Sequence, residues 1–134
     1  CGIYVSDDGG VSFRESRGVK PSSFGFAVAP HPHDRDRAWF APAQKDEARV
    51  PVGGRFVVTE TRDGGRTFQS HDRGLPAGPC YDLVYRHALI VDRTGERLAM
   101  GSTTGNLWVS GNAGTTWTPL ATSLPPIAVV AFAP

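Results

Sequence analysis

The chain has 134 residues, the size of one domain, and its 40% apolar and 20% charged residues are typical of a soluble globular protein. Its net charge of +1 gives no reason to expect a nucleic acid or an anionic membrane as a partner, and no apolar run approaches the roughly 18 residues of a membrane span. Sixteen glycines, eleven prolines and the lack of a sustained helical periodicity predict an all-β protein with many turns.

The first strand-like run, at residues 2–5, leads into an octapeptide that the chain repeats. The three copies, at 6–13, 61–68 and 110–117, share the pattern Ser/Thr-x-Asp/Asn-x-Gly-x-Ser/Thr-aromatic. Their third positions are 55 and 49 residues apart, a period typical of propellers and related repeat arrays.

Each octapeptide lies between two strand-like runs and is therefore predicted to be a hairpin turn. The carboxylate or amide at position three accepts hydrogen bonds from N–H groups of the turn, and the glycine at position five supplies a positive φ. The aromatic residue at position eight then folds back between sheets. The residues with this structural role are Asp8, Gly10, Phe13, Asp63, Gly65, Phe68, Asn112, Gly114 and Trp117.

Taken in chain order, the strand-like runs group into β-propeller blades of four antiparallel strands, labelled a to d from the propeller axis outward. The segments are 1–16 (strands c and d of a partial blade), 24–71 and 80–120 (whole blades) and 127–132 (a lone inner strand). In the second whole blade, strand a is predicted at 81–85, with a continuation through 89–91 left open. The chain, 1–134, is thus a single propeller segment of about 2.5 blades.

A propeller needs at least about four blades to close, so one copy of this chain would leave unpaired sheet edges. Two explanations stay open: the chain belongs to a longer propeller, or a homodimer closes a ring in which the last strand of each copy completes the partial blade of the other. The sequence shows no signal peptide and begins with Cys1 rather than Met, so we interpret its start as internal and assign no compartment. A Cys1–Cys80 disulfide is also left open.

The octapeptide pattern resembles the Asp-box (BNR) repeat of sialidases, sortilin-type receptors and bacterial BNR-repeat proteins that are classed with glycosyl hydrolases. The third copy departs from it, with Asn112 in place of Asp and Ala113 before the glycine. Over 81–132 the chain is similar to the last blades of the bacterial proteins. The resemblance implies a β-propeller whose repeats are structural turns and whose ligand lies on the opposite face, which is formed by the d–a and b–c connections.

Residues on that face are the candidates for chemistry. Glycosidases use two carboxyl groups about 5–10 Å apart or, in sialidases, a tyrosine nucleophile. Tyr81, Asp82 and Glu47 supply these types and are our catalytic candidates. The candidate binding residues on the same face are Arg49, Arg73 and Arg86.

Two further patterns do not support a site. The cluster of His31, His33, Asp34 and Asp36 falls in an a–b turn, and its Pro-x-Asp-x-Asp sequence is ordinary turn chemistry. We therefore predict neither a metal nor a cofactor. The Arg-Ile-Pro motif of sialidases is missing, and no arginine triad can be matched.

These observations predict a non-catalytic repeat scaffold that presents a binding face to a glycan, a peptide or a protein. The alternative is a sialidase-like glycoside hydrolase that is active only in a complete propeller. A third class is an assembly factor, which would show a broad basic or apolar patch instead of a pocket.

Overall fold

A computed structural model describes residues 2–133, so that Cys1 and its proposed pairing with Cys80 lie outside the described residues. Apart from one 3₁₀ turn, Val52–Gly54, all assigned elements are strands. They are β1 (Ile3–Val5), β2 (Arg14–Ser16), β3 (Gly25–Pro30), β4 (Ala38–Pro42), β5 (Val58–Thr61), β6 (Gln69–His71), β7 (Leu89–Val91), β8 (Leu98–Gly101), β9 (Leu107–Ser110) and β10 (Thr118–Ala121).

The strands form three antiparallel sheets, and within each sheet the strands pair in the order in which they follow one another in the chain. Blade one consists of β1 and β2, blade two of β3 to β6, and blade three of β7 to β10. The predicted all-β class with four-stranded antiparallel blades is therefore confirmed. No helix among residues 2–133 is long and apolar enough to cross a membrane.

The core lies between blades two and three, where β3 packs against β7. The fully buried Trp39 and the rings of Phe56 and Trp108, whose centroids are 5.2 Å apart, fill most of it. Small residues on β3, Ala27 and Ala29, let the inner strands approach each other closely. Each large apolar side chain buried here contributes about 1.5–3 kcal/mol.

The structure differs from the sequence prediction at two strands. Strand a of blade three is β7, Leu89–Val91, whereas 81–85 is irregular, because Asp82 and the carbonyl of Leu83 bond to the loop between β8 and β9 instead of to a strand. Residues 127–132 form no strand. They make a single parallel bridge, His87 with Val129, because no second strand within 2–133 lies beside them.

The second repeat turn, 61–68, shows how the octapeptide fixes a hairpin. Asp63 Oδ1 accepts hydrogen bonds from the backbone N–H groups of Arg66 (2.9 Å) and Thr67 (2.8 Å), and its Oδ2 accepts one from the Thr67 hydroxyl (2.6 Å). The Thr61 hydroxyl in turn accepts the N–H of Gly65 at 2.9 Å, where φ is +77°. All these partners lie within four residues, so the turn is specified locally.

The first and third turns repeat this arrangement with one chemical change. Asp8 Oδ1 accepts the N–H groups of Val11 (3.1 Å) and Ser12 (2.9 Å). In the third turn Asn112 Oδ1 accepts the N–H of Thr116 (2.9 Å), while its amide nitrogen donates to the Thr116 hydroxyl (2.8 Å). An amide can thus replace the carboxylate because the hydroxyl reverses its role from donor to acceptor.

Each repeat turn that follows another blade is also bonded to that blade. The carbonyl of Gly64 accepts a hydrogen bond from Arg14 of blade one (2.8 Å), and the carbonyl of Ala113 accepts one from the Trp39 indole of blade two (3.0 Å). Both carbonyls stand at position four of the octapeptide. The turns therefore hold the blades against each other as well as reversing the chain.

The aromatic residues at position eight of the octapeptides differ in their burial. Trp117 is 3% exposed and fills the space between blades two and three, as predicted, and Phe68 is half-buried. Phe13 is 64% exposed, contrary to the prediction that this residue folds back between sheets. The reason is that no blade precedes the first turn within the described residues.

An ionic cluster surrounds the buried carboxylate of Glu60 in blade two, and its Arg37 guanidinium lies 4.8 Å from the centroid of the Trp39 ring. Glu60 is 1% exposed, and its carboxylate accepts hydrogen bonds from Arg37 Nε (2.6 Å), Arg62 Nε (2.8 Å) and His71 Nε2 (2.9 Å). Burial alone would raise the pKa of Glu60, but the hydrogen bonds from Arg62, Arg37 and His71 outweigh it and hold the pKa below its usual value. Removing Glu60 would leave the largely buried guanidinium of Arg37 without its partner.

Substitutions at Asp63 test the role of the repeat turn. Asp63→Ala removes the acceptor of four hydrogen bonds and is expected to lower the urea midpoint of unfolding clearly. Asp63→Asn recreates the third turn and is expected to lower the midpoint much less. Equal losses for the two variants would contradict the proposed exchange of carboxylate for amide.

Comparison of the wild-type chain with Asp63→Asn also tests a pH dependence. The Thr67 hydroxyl and backbone N–H lower the pKa of Asp63 from 3.8 to about 2. Because the folded-state pKa is depressed, this contribution to stability is complete above 3.8 and is lost as the pH falls from there towards about 2. The difference in urea midpoint between the wild-type chain and Asp63→Asn should shrink over that interval, and a constant difference would be evidence against this linkage.

Candidate functional site

The d–a and b–c connections place a group of aromatic and charged side chains around the start of β3. We call this group the Phe26 surface. Its members are Phe24, Phe26, Asp46, Arg49, Tyr85, Arg86 and His87. The rings of Phe24 and Phe26 meet edge to face with centroids 5.3 Å apart, and Phe26 is half-buried between the loops on either side.

One side of the surface is formed by the loop between β4 and β5. Its backbone makes a small hairpin in which the N–H of Gln44 donates to the carbonyl of Val50 (2.8 Å). The guanidinium of Arg49 lies 5.2 Å from the centroid of the Phe26 ring and donates to Asp46 Oδ1 at 2.6 Å. Because both charged side chains are more than half exposed, this ion pair contributes little to stability and mainly positions Arg49.

The other side comes from the connection before β7. A shallow cavity of about 270 Å³ is lined by Phe26, Tyr85, Arg86, His87 and Ala128. Arg86 thus lines a cavity together with Phe26, the ring that the Arg49 guanidinium overlies. Two of the three arginines predicted as binding residues therefore share one aromatic residue, although 37 positions separate them in the sequence.

A second, larger groove of about 340 Å³ lies on the blade-one side of β3. Its lining consists of Gly2–Tyr4, Ser22–Val28 and Phe40–Pro42. Phe24 and Phe26 both line this groove, and Phe26 lines the smaller cavity as well. The groove is predominantly apolar, and it has a free sheet edge, that of β1, as one wall.

The predicted catalytic residues differ in burial and in their hydrogen-bond partners. Asp82 is 5% exposed, and its Oδ1 accepts hydrogen bonds from Ser102 (2.6 Å), Asn106 (2.8 Å) and the Thr104 hydroxyl. These hydrogen bonds fix the loop between β8 and β9. Tyr81 is 71% exposed, and Glu47 is exposed in the loop before β5.

The remaining candidates also have structural surroundings. Arg73 is exposed, and its carbonyl accepts the N–H of Trp117 (2.9 Å), which ties it to the third repeat turn. His31 Nδ1 accepts the N–H groups of His33 (3.1 Å) and Asp34 (3.0 Å), which closes the a–b turn. Residues 2–133 contain no group of three or more His, Cys, Asp and Glu side chains arranged to hold a metal ion.

Cys80 offers no nucleophile under ordinary conditions. Burial raises the pKa of its thiol, so the side chain is protonated at neutral pH. A catalytic role by nucleophilic attack therefore has no support here.

Sequence reasoning missed the aromatic centre of the surface. Phe24 and Phe26 were not candidates because residues 24–29 have the apolar composition of a buried inner strand, and Tyr85 and His87 were not singled out either. The available signal was the two-residue spacing of Phe24, which directly precedes β3, and Phe26, which lies within it. Alternation places both on one face of a strand, next to the loop.

Comparison with solved structures supports the propeller fold and a similarity to glycoside hydrolases. The sequence matches no family model, and a search of the curated proteins also gave no match. Among solved structures, the GH74 enzyme of Niastella koreensis superposes with a TM-score of 0.54 over 76% of this chain at 20% sequence identity. The GH74 xyloglucanase from Xanthomonas campestris superposes with a TM-score of 0.50 over 69% of the chain at 27% identity.

These similarities concern a small part of much longer proteins. This chain spans 15% of the Niastella enzyme and 13% of the Xanthomonas xyloglucanase. Together with the four-stranded antiparallel sheets, they support a propeller segment similar to part of a glycoside hydrolase.

Substitution of Asp82 tests whether this residue is built into the fold. Asp82→Ala would leave the hydroxyls of Ser102 and Thr104 and the amide of Asn106 without their acceptor. We expect the free energy of unfolding to fall by about 2–3 kcal/mol, measured by urea denaturation. The control Asp46→Ala removes an exposed ion pair and should change it by less than about 1 kcal/mol. Equal effects of the two variants would contradict this structural role of Asp82.

Proposed function

We propose that this chain is a segment of an Asp-box propeller that binds a polysaccharide at the Phe26 surface without cleaving it. The observation that carries the proposal is that Phe26, at the d–a and b–c connections, has the Arg49 guanidinium over its ring and shares a cavity with Arg86. The alternative is a sialidase-like glycoside hydrolase that is active only in a complete propeller.

The chemistry of the surface suits a sugar chain. A pyranose ring has C–H groups that pack on an aromatic ring and hydroxyl groups that need donors and acceptors at the edge. Phe26 and Tyr85 offer apolar ring surface, while Arg49, Asp46 and Arg86 offer charged hydrogen-bonding groups beside it. A few polar groups around an apolar concave surface are the common composition of ligand sites.

The state of the carboxylates favours binding over hydrolysis. A retaining or inverting glycosidase needs two carboxyl groups that converge on the scissile bond. The oxygen of Asp82 that faces its neighbours already accepts three hydrogen bonds, and the residue is buried. Asp82 is therefore unsuited to the second carboxylate of such a pair with Glu47.

The Asp-box part of the proposal has support in the three repeat turns. Each has a third-position oxygen that accepts N–H groups further along the turn, and each has a first-position hydroxyl that accepts the N–H of the fifth residue. These turns lie at the opposite ends of the strands from the loops that form the Phe26 surface. This separation agrees with a structural role for the repeats and a binding role for the opposite face.

Titration with a xyloglucan oligosaccharide, followed by NMR shifts of the backbone amides, tests the proposed binding. The largest shifts are expected in residues 24–26, 46–49 and 85–87. Phe26→Leu keeps an apolar side chain but removes the ring, and Arg49→Ala removes the guanidinium. We expect each to weaken binding by about tenfold or more, which corresponds to about 1.4 kcal/mol.

The matched control is Arg35→Ala, because the Arg35 side chain is 81% exposed in the a–b turn at the other end of blade two. This variant should bind like the wild-type chain. Shifts confined to other regions, or equal weakening by Arg35→Ala and Arg49→Ala, would contradict the Phe26 surface as the site. Release of reducing sugar from xyloglucan or of sialic acid from a sialoside by the chain would favour the glycosidase alternative.

A further inference from the structure

The segment 81–85 belongs to the connection between blades two and three, on the face that carries the Phe26 surface. Its middle residues, 82–84, are buried, whereas the residues at its two ends, Tyr81 and Tyr85, are 71% and 43% exposed. Both neighbouring blades have all four of their strands within the described residues. The segment therefore presents one exposed tyrosine on each side of a buried centre.

The loop between β4 and β5 of blade two holds the residues before Tyr81. The N–H of Cys80 donates to the carbonyl of Gly54 in this loop (3.1 Å), and the Cys80 side chain packs against the core. A methyl group added at Gly54 would lie 3.2 Å from Pro79 Cα, so the two backbones are in close contact. The approach to Tyr81 is thus fixed on the side of blade two.

The loop between β8 and β9 of blade three holds the residues that follow. Asp82 Oδ1 accepts hydrogen bonds from Ser102 (2.6 Å) and from the amide of Asn106 (2.8 Å). The carbonyl of Leu83 accepts the N–H of Thr103 (2.9 Å). The exposed tyrosine at position 81 therefore lies between two residues that are each bonded to a different blade.

This fixed backbone makes the ring of Tyr81 suitable for stacking. Exposed apolar residues that stand singly are common on protein surfaces and need no function. Tyr81 differs because the residues on both sides of it are already held in place. Its side chain has only two torsions, so packing a ligand on the ring costs little conformational entropy.

Polar groups lie in both loops that hold this segment. On the side of blade two, Arg55 directly follows Gly54 and pairs with Asp72 (3.4 Å), and these side chains are 67% and 61% exposed. On the side of blade three, Thr104 is exposed and Asn106 is partly exposed. An apolar ring with donors and acceptors in the adjoining loops is suited to the C–H face and the hydroxyl edge of a pyranose.

The distance to the Phe26 surface limits the length of ligand that reaches both places. Tyr85 belongs to that surface, and Tyr81 precedes it by four positions. Four residues of backbone extend over at most about 14 Å. A chain of several linked sugar units can span this distance.

We propose that Tyr81 forms a second subsite for the polysaccharide. A sugar chain then runs from the Phe26 surface along 81–85 to the loops that contain Gly54 and Ser102. This inference rests on the proposed binding of a polysaccharide at the Phe26 surface, and it adds the path of the ligand and a requirement for an extended chain. Tyr81 contacts the ligand through its ring and not as a nucleophile.

Calorimetric titration with cellobiose and with cellohexaose, a short and a long unbranched glucose oligosaccharide, tests the second subsite. Cellohexaose is expected to bind at least about tenfold more tightly, because it reaches both subsites at once. Tyr81→Ala should weaken binding of cellohexaose by about tenfold and leave binding of cellobiose unchanged. Tyr81→Phe keeps the ring and should retain most of the affinity.

The matched control is Leu120→Ala. Leu120 is 64% exposed on β10, the outermost strand of blade three, so this variant removes an exposed apolar side chain away from the proposed path. It should bind both sugars like the wild-type chain. Equal affinity of the wild-type chain for the two sugars, or unchanged binding of cellohexaose by Tyr81→Ala, would overturn the second subsite.

NMR shifts of the backbone amides separate the two subsites. Cellohexaose is expected to shift residues 54–55 and 103–106 as well as 24–26, and cellobiose to shift 24–26 alone. Shifts at 24–26 with both sugars, but none at 103–106 with cellohexaose, would overturn the second subsite only. Shifts at 103–106 without any at 24–26 would overturn the Phe26 surface and the continuous path, and a lack of binding by both sugars would overturn both proposals.

Discussion

The arrangement of the blades depends on one interaction, the hydrogen bonds that a third-position side chain accepts within its own repeat turn. Asp63 and Asn112 hold their turns in a conformation that points the carbonyl of the next residue at the preceding blade. Arg14 and the Trp39 indole then donate to these carbonyls. A local constraint within a few residues thereby fixes the relation between sheets that are about 50 residues apart in the sequence.

The opposite ends of the strands are free of this constraint, and the Phe26 surface lies there. Loops of unequal length leave the sheets at these ends, which is where scaffold proteins commonly present their binding residues. Asp82 fixes one of these loops through Ser102 and Asn106, and the hairpin around Arg49 fixes another. The burial of Asp82 and the exposure of the Arg49–Asp46 pair divide the polar residues into those that hold the loops and those that can meet a ligand.

The blades could be predicted from the sequence because their determinants are local. The partners of Asp63 all lie within four positions, so the octapeptide pattern carries its own turn and marks the strands on either side. The strand predicted at 81–85 was wrong because the side chain of Asp82 bonds to residues 20 and 24 positions away. A hydrogen bond between residues so far apart in the sequence produces no periodic pattern of apolar and polar residues. For the same reason the sequence indicated Arg49 and Arg86 singly, while Phe26, the ring that they share, looked like one more apolar residue of an inner strand.

The central claim is that a sugar chain binds at Phe26, next to Arg49 and Arg86. A crystal structure of the chain with a xyloglucan oligosaccharide measures this most directly. The account predicts an intact oligosaccharide with a pyranose ring packed on Phe26 and hydroxyl groups in hydrogen-bond contact with Arg49 or Arg86. An oligosaccharide bound away from Phe26, or cleavage products at a pair of carboxylates, would contradict it.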